Sequence, residues 1–252
     1  MKVIVNGSIV PLDQSKISPL GWLDGAGIFE TIKTVDGKPW ALSRHMRRAV
    51  NSSHKVGIGL PEEELVRESV SRLLSTEFHP KGLLRISFDA TGNWAAVHLA
   101  YSENSSPAKV RTHPNPLVTK GVPVKSYPYD HRLELLEQAR STGFDEALVT
   151  SSEGKVCEGS VCNVLFKIAG IWCTPPLSDG VLPGVMRALV IENFKIMVRS
   201  ISVSEIVDIE SAFLLSSLRI AQPIAAIDGR ELSQSPDFRD EIQAMALRTS
   251  VG

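Results

Sequence analysis

The most informative stretch of this sequence is Cys157-Glu158-Gly159-Ser160-Val161-Cys162-Asn163, where a single carboxylate stands between two short apolar segments. Thirty-three residues before Glu158 lies a lysine, Lys125, in Val124-Lys125-Ser126. A lysine can form a Schiff base with a carbonyl cofactor, and a carboxylate can keep a pyridine nitrogen protonated. Either residue alone is more typical of a solvated surface charge. The pair therefore indicates a site only if the rest of the chain supplies the remaining parts.

The segments around this stretch predict short strands interspersed with helices. After Lys125, Asp130 can cap a helix that stops at Gly143, with an inward face of Leu133, Leu136 and Ala139. Short strands are predicted at 147–150, 155–156, 163–166 and 171–174. Pro183-Gly184 then precedes a helix that starts near Met186.

The first hundred residues predict strands joined by hairpins, with helices to one side. Asn6-Gly7 suits a type I′ hairpin turn, and Asp36-Gly37 marks a second reversal. Ser43 is a candidate N-cap for a first helix, and Pro61 opens a second helix with Leu65 among its inward residues. The pattern indicates an α+β fold rather than a doubly wound sheet. No dinucleotide-binding or P-loop glycine motif occurs.

The polar segment Glu103-Asn104-Ser105-Ser106-Pro107 is the predicted linker. It divides the chain into a small N-terminal domain, residues 1–104, and a larger domain, residues 107–252. The larger domain would then hold both Lys125 and Glu158, and with them the cofactor.

Composition excludes several classes of function. The chain has 252 residues, a net charge of −1 and 43% hydrophobic residues, which is ordinary for a soluble globular protein without nucleic-acid or membrane partners. Its three cysteines form no CxxC pair, so we expect neither a metal nor a disulfide framework, and a cytoplasmic location.

Several stretches, taken together and in order, resemble the class IV aminotransferase family of fold-type IV pyridoxal-phosphate enzymes. The matching pieces lie at 25–32, 44–48, 125–126, 145–148, 158–163, 182–187 and 213–219, and the resemblance spans roughly residues 2 to 230. It implies a two-domain enzyme with a small N-terminal α/β sandwich and a larger C-terminal domain with a β-barrel-like core. It also implies pyridoxal 5'-phosphate as cofactor, a small amino-acid-like substrate and a homodimer.

The resemblance assigns roles to the two residues of the opening pair. Lys125 matches the family's Schiff-base lysine, which binds the cofactor aldehyde and moves the proton at the substrate α-carbon. Lys120 is the competing lysine, but its spacing to Asp145 is five residues too long. Glu158 matches the glutamate that pairs with the pyridine nitrogen and keeps the ring protonated.

The phosphate of the cofactor needs cations and backbone N–H donors. Helical periodicity cannot choose among Arg44, Arg47 and Arg48, but the resemblance selects Arg48. The turn Gly184-Val185-Met186 begins a helix, and its N–H groups and dipole suit a phosphate dianion. Ser217 would add a hydroxyl.

Two activities agree with the resemblance. The first is aminodeoxychorismate lyase of folate biosynthesis, which forms 4-aminobenzoate and pyruvate; the compact length and the Gly-Val-Met-Arg turn favour it. The second is an aminotransferase acting on branched-chain or D-amino acids with 2-oxoglutarate.

The sequence departs from the family in the loop Asp89–Trp94, which lacks the cation that binds a substrate carboxylate in several members. Arg85, within the preceding strand, is interpreted as structural. A non-catalytic binding protein is disfavoured, because it would not need Lys125, Glu158 and Arg48 together.

Overall fold

The computed structural model describes residues 1–117 and 121–249, which form two compact units. Unit 1 contains Met1–Glu103, Val124–Tyr129 and Thr249, and unit 2 contains the described parts of Asn104–Pro123 together with Asp130–Arg248. The division at residues 104–107 stays a prediction. The structure does, however, place the short segment Val124–Tyr129, and with it Lys125, in unit 1.

The chain forms strands and helices that alternate irregularly. In chain order the strands are β1 (Lys2–Val5), β2 (Ser8–Pro11), β3 (Gly27–Val35), β4 (Lys38–Pro39), β5 (Lys81–Asp89), β6 (Trp94–Ala100), β7 (Ala108–Thr112), β8 (Ser126–Tyr127), β9 (Glu146–Thr150), β10 (Val156–Gly159), β11 (Asn163–Ile168), β12 (Ile171–Thr174), β13 (Met197–Val198), β14 (Ile209–Ser216), β15 (Ile220–Ile227) and β16 (Arg230–Glu231). The α-helices are α1 (Leu42–Val56), α2 (Glu63–Thr76), α3 (Asp130–Ser141), α4 (Val185–Asn193) and α5 (Pro236–Arg248).

Unit 1 is built on an antiparallel sheet in the order β2-β1-β6-β5-β3-β4, with β8 also paired to β3. The predicted hairpin turn is confirmed, since Asn6 and Gly7 have φ angles of 48° and 85°. Both helices of this unit pack into one hydrophobic cluster with the sheet, through buried side chains such as Met46, Leu73 and Ile32. The α+β prediction is confirmed.

Strand β3 presents different chemistry on its two faces, because side chains alternate along a strand. Ile28, Glu30 and Ile32 point toward the cluster shared with α1. Phe29 points to the other face, where its ring meets Trp22 at 4.7 Å between centroids. One strand therefore serves both the core and a separate group of aromatic side chains.

Two sequence predictions about the helices of unit 1 are wrong, namely the N-cap of α1 and one inward residue of α2. The N-cap of α1 is Ala41, which has a left-handed φ of 50°, and not Ser43. The Ser43 hydroxyl instead accepts a hydrogen bond from Arg67 of α2 at 3.0 Å. Leu65 was expected inward but is 42% exposed, whereas the next residue, Val66, is fully buried. The other residues predicted on the inward face of α2, which are Val66, Val70, Leu73 and Leu74, are buried as expected, so the prediction is wrong at Leu65 alone.

The short strand β8 fixes the backbone of Lys125 in unit 1. Ser126 and Tyr127 pair with Ile28 and Gly27 of β3, and the Phe29 N–H donates to the Lys125 carbonyl at 3.0 Å. A Cβ added at Gly27 would lie 2.0 Å from the Phe88 carbonyl oxygen, so this close approach needs glycine.

Unit 2 is built on a nine-stranded mixed sheet in the order β10-β9-β7-β15-β14-β11-β12-β13, with β16 paired to β15. Helix α3 begins at Asp130 and buries Leu135, Leu136 and Ala139. Leu133, which was expected inward, is 38% exposed. The buried core of the unit is a cluster of strand side chains, among them Val164, Phe166 and Leu214.

Candidate active site

Glu158 is a buried carboxylate held by three donors. It lies on β10 and is 4% exposed. Its Oε2 accepts hydrogen bonds from the Asn163 side-chain amide and from the Leu182 backbone N–H, each at 3.0 Å. Its Oε1 accepts from Arg132 Nη2 at 2.9 Å. A buried carboxylate with a cation and two neutral donors is stabilised as an anion, which is the form that can face a protonated ring nitrogen.

Asn163 connects Glu158 to the start of α4. Its Nδ2 also donates to the Leu182 carbonyl at 3.0 Å. A Cβ added at Gly184 would lie 1.8 Å from Asn163 Oδ1, so only glycine permits this approach. The structure therefore brings Glu158 and the turn Gly184-Val185-Met186 together around one amide side chain.

The start of α4 has the properties of an anion-binding helix terminus. Gly184 is its N-cap, no side chain caps it, and no acidic residue occurs in its first turn. First-turn N–H groups have no partner within a helix and stand at the positive end of the dipole. Val185 and Met186 are themselves buried. Such a terminus suits a phosphate.

Ser217 follows the end of β14 and is 9% exposed. Strand β14 pairs with β11 so that Leu215 lies opposite Asn163. The serine is therefore only two residues beyond the partner of Asn163, at the same end of the sheet as the Glu158 group.

A second buried carboxylate, Glu146, supports this region and had no role in the sequence interpretation. Its side chain is fully buried. It accepts hydrogen bonds from the Ser160 N–H at 3.0 Å and from the Ser160 hydroxyl, and it forms an ion pair with Arg219 at 2.8 Å. Burial, together with the Glu146 charge, raises the pKa of the Cys162 thiol. Glu146 thus fixes the loop that follows Glu158.

Lys125 lies beside aromatic rings in unit 1. Its ammonium nitrogen is 4.4 Å from the centroid of the Phe29 ring and 5.2 Å from that of Tyr129. Amines near aromatic faces experience cation–π attraction. The competing lysine, Lys120, lies outside the described residues.

Arg85 lies beside the same aromatic rings. The sequence analysis did not predict these ring contacts. Its guanidinium carbon is 4.2 Å from the Trp22 ring centroid and 5.7 Å from that of Phe29. Burial lowers the pKa of Arg85 to about 10, and its buried Nε has no hydrogen-bond partner among the described residues. We name Trp22, Phe29, Tyr129, Arg85 and Lys125 the aromatic–cation cluster.

A signal for Arg85 does exist in the sequence. Arg85 pairs with Thr31 across β5 and β3, and directly paired residues share a face of the sheet. Phe29 is two residues from Thr31 and shares that face too. The sequence shows the alternation of side chains along each strand. The register that places Arg85 beside Phe29 is seen only in the structure.

Arg48 lies in a buried triad with Glu30 and His45. Its Nε donates to Glu30 Oε1 at 2.8 Å, and His45 Nδ1 lies 2.6 Å from Glu30 Oε2. Burial alone would raise the pKa of Glu30, but the charges and hydrogen bonds of Arg48 and His45 lower it to about 2. Burial lowers the pKa of His45, and the Lys125 charge adds to that effect. At neutral pH the triad therefore contains a carboxylate, a guanidinium and a neutral imidazole.

The described residues contain no group of three or more histidine, cysteine or acidic side chains that could hold a metal. Within residues 1–117 and 121–249, no helix has the length and apolar content needed to cross a membrane.

Comparison with known proteins adds a family match over most of the chain. The model of the amino-transferase class IV family matches residues 27–227. The chain is 25% identical to the aminodeoxychorismate lyase of Bacillus subtilis, over 77% of this chain and 73% of that one. It is 24% identical to a bifunctional aminodeoxychorismate lyase and D-amino acid transaminase of Mycobacterium tuberculosis, over 84% and 85%.

A solved structure gives a close match in fold. The crystal structure of the branched-chain aminotransferase of Thermoproteus uzoniensis with norvaline superposes with a TM-score of 0.85 at 26% sequence identity. The match covers 99% of this chain and 93% of that one.

Proposed function

Since the chain belongs to the class IV aminotransferase family of pyridoxal-phosphate enzymes, we propose that it is a 4-amino-4-deoxychorismate lyase. The reaction would convert this substrate to 4-aminobenzoate and pyruvate. The aromatic–cation cluster supports the choice of substrate, and the donor groups described above support the choice of residues for the cofactor.

The residues present fit pyridoxal phosphate in charge and in donor type. When bound, this cofactor withdraws electrons from the substrate carbon that bears the amine. Lys125 would hold its aldehyde carbon and Glu158 its pyridine nitrogen. The phosphate would be bound by Arg48, by the N–H groups of Gly184-Val185-Met186 at the start of α4, and by the Ser217 hydroxyl.

Glu30 supports the proposed role of Arg48. Two nitrogens of the guanidinium, Nε and Nη2, are hydrogen-bonded to the carboxylate, which fixes the plane of the group. A guanidinium oriented in this way loses little side-chain entropy when it also meets a phosphate.

The observation that favours the lyase is the composition of the aromatic–cation cluster. The amine of Lys125 and the guanidinium of Arg85 both lie on the Phe29 ring, with Trp22 and Tyr129 beside them. Flat rings next to the reacting amine suit a substrate that is itself a six-membered ring. A half-buried arginine suits a carboxylate on that ring. We propose that Arg85 supplies the carboxylate contact for which the loop Asp89–Trp94 has no cation.

Lys125 would perform the proton transfers of this reaction. Its amine removes the hydrogen from the ring carbon that bears the amino group. The bond between the neighbouring ring carbon and the ether oxygen then breaks, and its electron pair leaves with the enolpyruvyl oxygen. The ring becomes aromatic, and the enolpyruvate gains a proton at carbon to become pyruvate. No external oxidant or reductant is needed.

The second candidate is an aminotransferase for branched-chain or D-amino acids. The agreement in fold with the Thermoproteus uzoniensis branched-chain aminotransferase over nearly the whole chain favours it. The same cofactor residues would serve, and Arg85 would bind the carboxylate of the amino acid. We further propose a cytoplasmic homodimer, on the family resemblance, with folate biosynthesis as the setting if the lyase assignment holds.

The two candidates are separated by their products. The purified protein, supplied with pyridoxal phosphate, is assayed for 4-aminobenzoate from aminodeoxychorismate, and for glutamate from a panel of L- and D-amino acids with 2-oxoglutarate. We expect 4-aminobenzoate at a higher kcat/KM than any transamination product. Transamination of an amino acid without formation of 4-aminobenzoate would show that the protein is an aminotransferase and not a lyase.

The role of Arg85 is tested with a matched pair of variants. Arg85→Leu removes the proposed carboxylate contact, and a hydrogen bond to a charged group contributes about 1.5–3 kcal/mol, so kcat/KM should fall roughly 10- to 150-fold. Arg111→Leu is the control, because Arg111 also stacks on a ring, that of Phe144 at 5.5 Å, but belongs to unit 2. Equal losses in both variants would show that Arg85 is only structural.

A further inference from the structure

We propose that Arg132 is a positioning residue for Glu158, and that its cation keeps this carboxylate ionised and the cofactor ring protonated. The inference rests on the proposed binding of pyridoxal phosphate. It assigns a role to a residue that stands outside every motif of the resemblance.

The contact between Arg132 and Glu158 is direct and shielded from water. Arg132 is the third residue of α3, and its Nη2 lies 2.9 Å from Glu158 Oε1. The two side chains are only 16% and 5% exposed. Charges in such a site are screened less than at the surface, so the ion pair acts on Glu158 more strongly than an exposed pair would.

The two oxygens of Glu158 have different surroundings. Oε2 accepts from two neutral donors, the Asn163 amide and the Leu182 N–H. Oε1 faces the cation of Arg132. The neutral donors fix the direction of the carboxylate, whereas Arg132 contributes the positive charge that sets how strongly the carboxylate binds a proton.

A second arginine near Glu158 does not duplicate this contact. Burial lowers the pKa of Arg187, and the negative charge of Glu158 partly offsets that effect. The Arg187 Nη2 donates to the Pro175 carbonyl at 2.7 Å. Of the two guanidinium groups, only Arg132 has a direct ion pair with Glu158 among the contacts described. Helix α3 is also anchored in its own right by buried leucines such as Leu135 and Leu136, so Arg132 is not needed to hold the helix in place.

The charge of Arg132 would affect the position of a proton shared between Glu158 and the pyridine nitrogen. Because Arg132 contacts the carboxylate directly, its charge favours the state with the negative charge on the Glu158 oxygen and the proton on the nitrogen. Without the cation, the buried carboxylate gains proton affinity, because burial disfavours its charged form. The proton would then move toward Glu158, and the ring would lose its positive charge.

The test compares Arg132→Gln, which removes the charge, with Arg132→Lys, which keeps it. The control is Arg140→Leu, an exposed arginine in the last turn of the same helix. Each protein is loaded with pyridoxal phosphate labelled with ¹⁵N in the ring, and the nitrogen chemical shift is followed by NMR over a pH series. Thermal unfolding without cofactor monitors the fold.

We expect the wild type, Arg132→Lys and Arg140→Leu to show a protonated ring, and Arg132→Gln to show a ratio of nitrogen-bound to carboxylate-bound proton about tenfold lower or more. The inference is overturned if Arg132→Gln and Arg132→Lys give the same shift over the whole pH series, or if Arg132→Gln changes only the unfolding temperature. If Arg132→Gln does not fold, loss of ring protonation in Arg132→Lys overturns the inference and its retention supports it. Failure of the wild type to take up pyridoxal phosphate is a different result and refutes the proposed function.

Discussion

Replacing Glu30 by glutamine should destabilise unit 1 in a way that depends on pH. The pKa of Glu30 is lowered from 4.5 to about 2, mainly because Arg48 and His45 outweigh the cost of burial. Each pKa unit corresponds to about 1.4 kcal/mol, so the ionised carboxylate contributes about 3 kcal/mol to the free energy of unfolding at neutral pH. Glu30 is 1% exposed, so solvent screening reduces this value little.

The sign of the pH dependence follows from the depressed pKa. Between pH 4.5 and pH 2 the unfolded chain binds a proton at Glu30 that the folded protein does not, so stability is lost as the pH falls through this range. Above pH 4.5 the contribution is complete. The difference between wild type and Glu30→Gln should therefore be about 3 kcal/mol at pH 7 and roughly half of that at pH 3.

Urea unfolding followed by tryptophan fluorescence measures this difference. Three of the four tryptophans report on unit 1, namely Trp22, Trp40 and Trp94. Glu63→Gln is the control, because Glu63 pairs with Arg67 on the exposed surface of α2 and should contribute at most about 0.5 kcal/mol. A loss of less than about 1 kcal/mol for Glu30→Gln at pH 7, or a loss that is unchanged at pH 3, would refute the reasoning.

Three further outcomes are expected. Lys125→Ala should abolish turnover and the fixation of pyridoxal phosphate by borohydride; a variant that still fixes the cofactor would place the reactive amine elsewhere. Gly184→Ala should lower the free energy of unfolding by roughly 2 kcal/mol or more, because its Cβ would overlap Asn163, whereas Gly59→Ala, whose Cβ meets nothing within 4 Å, should change it by no more than about 0.5 kcal/mol in urea titrations. The three cysteines are buried, so a thiol reagent should label none of them rapidly in the native protein and all three in denaturant; rapid labelling under native conditions would contradict their burial.

Much of the fold could be predicted because its signals are local. Asn6-Gly7 specifies its turn through positive φ angles that few other residue pairs adopt, and alternating side chains identify β3 without reference to the rest of the chain. The errors concern properties that depend on distant neighbours. Leu65 and Leu133 are apolar and helical, but the packing around them covers only part of each side chain, so they stay 42% and 38% exposed.

The residue types of the candidate site could be predicted, but their partners could not. Sequence order and the family resemblance suggest Lys125, Glu158 and Arg48. Nothing local indicates that Arg132 pairs with Glu158, because the two are 26 residues apart and meet only after α3 has packed on its sheet. The ring contacts of Arg85, which the sequence analysis interpreted as structural, could not be predicted for the same reason, since its neighbours in space come from a different strand and from the segment near Trp22.

The discontinuity of unit 1 has a consequence for biosynthesis. The first 103 residues leave the ribosome without β8, which pairs with Gly27 and Ile28 only after Tyr127 has been made. At bacterial or eukaryotic elongation rates of about 5–20 residues per second, these further two dozen residues take roughly 1–5 s. The sheet of unit 1 is therefore completed only after β7, the first strand of unit 2, has already been made.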